Sequence, residues 1–216
     1  MDMELELPYN EIAALAARQL GSLFLFRPET ESAVLEEALR RALDDCEYCF
    51  ARTGNKYYQR DGTVYFNPFH SGQYSIFLYF LSRSAFELQE PGSTLADRIY
   101  CLNKALNGLD LFHQVRMPRV FFLDHPVGSV IGRAEIGDGF SFSQNCTIGN
   151  NKGNYPALGR NVRMMSGSKI LGRCRIGDNV TLAANSYVKD ADIPADSLVF
   201  GASPDLIIKP VKGPVG

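Results

Sequence analysis

After Pro118 the chain repeats every six residues, a period that neither an α-helix nor an alternating strand generates. Aliphatic or aromatic residues fall at Val130, Ile136, Phe142 and Ile148, and then at Leu158, Met164, Ile170, Ile176, Leu182 and Val188. Mostly small residues follow four places later, at Ala134, Cys146, Val162, Ser168, Cys174, Val180 and Ser186, with Phe140 the bulky exception. Such a pattern predicts a triangular solenoid in which each hexapeptide supplies one short strand and one corner, and the periodic aliphatics fill the axis. Glycine, asparagine and aspartate cluster in IGDG, GRN and IGDN, as sharp corners that need positive φ demand. Ten residues separate Ile148 from Leu158 instead of six, so NNKGNYPA should carry a four-residue insertion that leaves the coil as a loop.

The preceding part has a different period. From about residue 10 to 106 it reads helical, most clearly in SAVLEEALRRALDDCEYCF, where Leu35, Leu39, Ala42, Leu43, Cys46 and Phe50 form one apolar face. Thr30 or Ser32 is the expected cap. Two further helices are expected in GQYSIFLYFLSRSAFEL and STLADRIYCLNKAL, with a short hairpin in GNKYYQRDGTVYFNP before them. The Cys46-x-x-Cys49 pair sits on or beside the apolar stripe with no second pair, and so reads as buried thiols. The expected domains are a helical one over 1–107, a parallel β-helix over 108–209 and a tail over 210–216.

Charge and cysteine usage narrow the setting. A formal charge of -2 with both signs interspersed gives no basic stripe for nucleic acid. The acidic MDMELELPYN lacks the pattern of an export signal, and no run reaches membrane-spanning length. Five irregularly spaced cysteines suit a reducing cytoplasm better than a disulfide framework.

LDHPVGSVIG, QNCTIG, SGSKILGRCRIGDNVTLAANSYV and the closing FGASPDLIIK resemble the serine acetyltransferase family of hexapeptide-repeat transferases, over roughly residues 110 to 209. The resemblance implies a left-handed parallel β-helix, a homotrimer with sites between neighbouring solenoids, alone or as a dimer of trimers, and acetyl-CoA as co-substrate without a metal. It implies His125 as catalytic base and Asp110, fifteen residues earlier, as the carboxylate that orients it. The roles suit the residue types, because histidine titrates near neutrality and can take a hydroxyl proton, while a carboxylate fixes its tautomer. By family position Ser166 and Ala184 line the coenzyme groove with Asn150 near it, and Lys209 is a candidate phosphate contact.

This chain also departs from the family. Aligned on Pro156, Tyr155 stands where the family has a second histidine, the loop is shorter, and Asn55 is the nearest match to an upstream aspartate. Of the polar acceptor contacts Asp124 and His125 survive. Tyr155 and an asparagine-rich loop suit a neutral polyol, so the expected acceptor is a sugar or saccharide precursor, with L-serine as the alternative. A zinc hydratase like the γ-carbonic anhydrases would need a histidine trio at other spacings, and an inactive trimeric scaffold is the non-enzyme alternative.

Overall fold

The computed structural model describes residues 2–211, which divide between Gln114 and Val115 into two compact units. Contacts therefore change hands a few residues after the expected boundary at 107. Most of the expected tail lies outside the described residues.

In the first unit, α1 (Tyr9–Leu23), α2 (Pro28–Phe50), α3 (Ser71–Leu88) and α4 (Leu95–Asn107) supply the core. α2 buries Leu35, Leu39, Ala42, Leu43, Cys46 and Phe50, the stripe read from the sequence, together with Cys49. Burial, with smaller contributions from Cys49 and Asp45, holds the Cys46 thiol well above its usual range, as expected of an inert apolar sulfur. The helix begins earlier than expected, with Pro28 in its first turn. No side chain of the N-cap residue, Arg27, caps it; instead Glu31 accepts a hydrogen bond from the Arg27 backbone N–H at 2.8 Å. α3 is buried along nearly its whole length between α2 and α4, which explains its aromatic content. Gly108 ends α4 at φ +62. The expected hairpin is present as β2 (Gln59–Arg60) against β3 (Thr63–Phe66), closed by Asp61 and Gly62, both at positive φ, a two-residue turn whose twist matches the strands; β1 (Glu4–Leu5) pairs parallel with β3, and β4 (Asp110–Leu111) follows α4.

The second unit is a stack of parallel coils. One face is built from β5 (Phe121–Leu123), β8 (Phe140–Phe142), β11 (Arg163–Met164), β14 (Thr181–Leu182) and the first half of β16 (Ser197–Ala202). A second comprises β6 (Val130–Ile131), β9 (Thr147–Gly149), β12 (Lys169–Leu171) and β15 (Tyr187–Lys189). The third comprises β7 (Glu135–Ile136), β10 (Ala157–Leu158) and β13 (Arg175–Ile176). The last strand, β17 (Asp205–Pro210), turns back antiparallel on β16. Leu123, Ile131, Phe142, Ile148, Met164, Ile170, Leu182 and Val188 are buried along the axis, each contributing about 1.5–3 kcal/mol relative to exposure.

Register exposes the insertion. Arg163 pairs with Thr181 eighteen residues on, as three hexapeptides require, but Ser141 pairs with Arg163 twenty-two residues on. The four extra residues form a tight hairpin, bridged between Asn151 and Asn154 and closed by Lys152 and Gly153 at φ +50 and +81. One periodic position is misassigned by the six-residue rule: Val130 is 43% exposed, and Ile131 takes the axial place. The phase slips at the corner that precedes it.

Candidate functional site

That corner holds His125. Leu123, Phe142, Met164 and Leu182 are stacked in register on one face, and Val130, Thr147, Lys169 and Tyr187 on the next. The path between the two faces takes seven steps in the first coil, Leu123 to Val130, and five in each of the following three. The two additional residues push Asp124-His125-Pro126 outward. The excursion is fastened by its own backbone, with Val127 N–H donating to the His125 carbonyl at 2.8 Å and Ser129 N–H to that of Pro126 at 3.0 Å. His125 adopts φ +49, a left-handed conformation that histidine tolerates better than most residues.

The imidazole projects into solvent, its side chain 82% exposed. An Asp124 carboxylate oxygen lies 3.5 Å from Nε2, and the Asp124 side chain is 58% exposed. The sequence carries a signal for this projection, the seven-residue step from Leu123 to Val130, which the six-residue rule overrides.

Below His125 the same corner is lined by Val127, Gln144, Ser166 and Ala184, since the N–H groups of Asn145, Gly167 and Asn185 donate to the Val127, Gln144 and Ser166 carbonyls at 3.0, 2.9 and 2.9 Å. Two of the predicted groove residues, half-buried Ser166 and exposed Ala184, thus share an edge of the solenoid with the base. Small side chains there leave backbone open to a close ligand.

The remaining predicted residues lie elsewhere. Asn150 and Tyr155 flank the hairpin at the next corner, Tyr155 being 47% exposed. The path from Asn145 to Asn151 crosses the whole second face, roughly 20 Å at about 3.3 Å per residue. One solenoid therefore does not bring Tyr155 to Asp124. The hairpin is tied to the following coil by Asn151, whose Nδ2 donates to Asp190 at 2.5 Å. Lys209 lies on the last strand with its ammonium 5.5 Å from the centre of the Phe200 ring.

Asp110 belongs to the first unit. Its carboxylate accepts from Tyr100 Oη at 2.6 Å and from Lys104 Nζ at 2.6 Å. Burial pushes its pKa up, but the hydrogen bonds from Lys104 and Tyr100 outweigh burial and hold the carboxyl below its ordinary range. It is thus a fixed anion. In the same unit Asn55 accepts a hydrogen bond from the Tyr57 N–H at 2.9 Å, and His70 accepts one from Gln73 N–H at the start of α3. His113 is buried between Phe86 and Phe112. Among the described residues no three His, Cys, Asp or Glu side chains converge as a metal site, and no helix is long and apolar enough to cross a membrane.

No protein-family model matches the chain. Among curated proteins it is 34% identical over 113 residues to a serine acetyltransferase of Helicobacter pylori, covering 50% of this chain and 66% of that one. It is 35% identical over 105 residues to a serine acetyltransferase of Synechococcus elongatus, covering 46% of this chain and 43% of that one. The matches thus span less than two thirds of those relatives' length. Among solved structures, the serine acetyltransferase of Neisseria gonorrhoeae superposes with a TM-score of 0.73 at 21% identity, over 96% of this chain and 82% of that one. A serine acetyltransferase in complex with CoA superposes with a TM-score of 0.67 at 20% identity, over 92% of this chain and 83% of that one. The helical unit followed by a parallel β-solenoid is therefore a serine acetyltransferase-like fold, and half of the chain carries a serine acetyltransferase-like sequence.

Proposed function

We propose that this chain is an acetyl-CoA-dependent O-acetyltransferase and that its acceptor is L-serine. The observation that carries the reading is that curated relatives about one third identical are serine acetyltransferases. The exposed imidazole at a corner that also carries the small residues Ser166 and Ala184 is consistent with it. The sugar acceptor expected from Tyr155 is the second reading, favoured by an exposed aromatic beside an asparagine-rich hairpin, and the relatives count against it.

Acetyl-CoA supplies the thioester. His125 takes the proton of the acceptor hydroxyl as that oxygen attacks the acyl carbon, and the imidazolium returns the proton to the departing thiolate, so no acyl-enzyme is needed. Asp110, held ionised by Lys104 and Tyr100, is proposed to orient the imidazole, and Asp124 to contact the acceptor. Ser166, Ala184 and Asn150 are proposed along the coenzyme path, with Lys209 as a phosphate contact. A homotrimer, with sites shared between chains, and a cytoplasmic location complete the reading.

The test is release of free thiol from acetyl-CoA with L-serine and with a panel of sugars. Turnover of L-serine in the ordinary enzyme range, about 1–1,000 s⁻¹, with sugars inactive, is expected. Turnover of a sugar with L-serine inactive would transfer the function to the second reading, and no thiol release with any hydroxyl would end the transferase reading.

A further inference from the structure

We infer that Arg163 sets acceptor specificity by binding an anionic group, a carboxylate, on the molecule whose hydroxyl faces His125; the inference rests on the O-acetyltransferase reading and names a feature of its substrate. Beside the His125 corner, the outer surface of β5, β8 and β11 forms a groove of about 250 Å³ whose lining includes Phe122, Asp124, Ser141, Ser143, Arg163 and Met165. These side chains share the groove because alternate residues of a strand face outward, while Leu123, Phe142 and Met164 between them fill the axis. The space suits a small metabolite and falls short of the usual drug-sized pocket.

Charge is arranged along the groove. Among the described residues that line it, Asp124 and Arg163 are the two ionised side chains. Asp124 adjoins the base at one end. Arg163 is on β11, two strands away and about 10 Å along the sheet. Ser141 lies between them in the ladder, pairing in register with Arg163 on one side and Phe122 on the other. A planar guanidinium with paired N–H donors matches a carboxylate and adds nothing for a neutral polyol, whose hydroxyls the serines would satisfy. The combination of a carboxylate near the base and a guanidinium across the groove selects a small molecule with both charges, such as an amino acid. In the sequence Arg163 is only an outward residue of one strand.

The experiment compares L-serine with ethanolamine, which keeps the hydroxyl and ammonium but has no carboxylate. Calorimetric binding and acetyl-transfer kinetics would be measured for the wild type, Arg163→Met and Arg163→Lys. Arg163→Met should weaken L-serine by about ten- to a hundredfold, the usual size for a hydrogen bond to a charged group, leaving ethanolamine and acetyl-CoA unaffected. Arg163→Lys should recover part of the loss. Equal losses on both acceptors, no loss, or a loss confined to acetyl-CoA would overturn the inference. If Arg163→Met fails to fold, the Lys variant and the wild-type preference decide: L-serine must bind at least tenfold tighter than ethanolamine. Wild-type protein that binds L-serine through Arg163 yet transfers no acetyl group would overturn the transferase reading alone. Acetyl transfer to a neutral sugar with no binding of L-serine would overturn the Arg163 inference alone.

Discussion

His125 owes its exposure to two additional residues at one corner, so its replacement should disturb chemistry far more than folding. His125→Ala is expected to lower turnover by about two to four powers of ten, the range for loss of a general base, while coenzyme A binding measured by calorimetry stays near wild type. Normal turnover by that variant would remove His125 from the mechanism. Asp110→Asn and Asp124→Asn should separate orientation from acceptor contact, the first lowering kcat and the second raising KM for the acceptor.

His113 offers an independent prediction at the same scale. Burial lowers its pKa, Asp97 with a carboxylate oxygen 4.0 Å from Nε2 opposes this, and Arg83 adds to the lowering. Nδ1 has no hydrogen-bond partner among the described residues. With a folded pKa below the unfolded value of about 6.5, the unfolded chain binds the proton first as pH falls. The stabilisation is then complete above that value and is lost as pH drops through the folded pKa. His113→Phe should reduce the fall in the urea midpoint between neutral and mildly acidic pH; an unchanged slope would show that other groups carry it.

At the scale of elements, the corners matter as much as the strands. Gly139, Asn161, Asn179 and Asp196 all adopt positive φ on the edge between the third and first faces. Asn161 Nδ2 donates to Asn179 Oδ1 at 3.0 Å, and Asn179 Nδ2 to Asp196 Oδ1 at 2.9 Å. Asn179→Ala loses both bonds and keeps an unfavourable φ of +57, at a cost of about 1–3 kcal/mol. Asn179→Gly also loses the bonds but tolerates the backbone, so it should be the milder variant. Urea denaturation decides, and an equal or larger loss for glycine would refute the backbone argument. The hairpin obeys a different logic: deleting residues 151–154 returns its coil to eighteen residues, so thermal stability should be kept while any contribution of the loop to turnover disappears.

For the whole molecule, the separation of Asp124 from Tyr155 on one solenoid makes the assembly part of the proposal. If both residues serve one acceptor, they come from different chains. Light scattering should give three times the mass of the chain, and a monomer at micromolar concentration would sink the shared site. Mixing His125→Ala chains with Tyr155→Ala chains, each of low activity, should restore part of the turnover, because some sites then receive both intact residues. No recovery after demonstrated subunit exchange would confine the site to one chain.

The six-residue period, the four-residue insertion before Pro156, the helices α2, α3 and α4 and the buried Cys46 and Cys49 were legible in the sequence because each follows from residues near one another in the chain. The start of α2 at Pro28 and the slip that exposes Val130 were harder to read, since a periodic rule averages over a local irregularity. The meeting of Asp124 with Arg163 across one groove, and the parting of Asp124 from Tyr155, belong to the tertiary structure. Those relations are set by the register of strands one or two coils apart, which depends on how many residues each intervening corner consumes and on which of them pack against the axis.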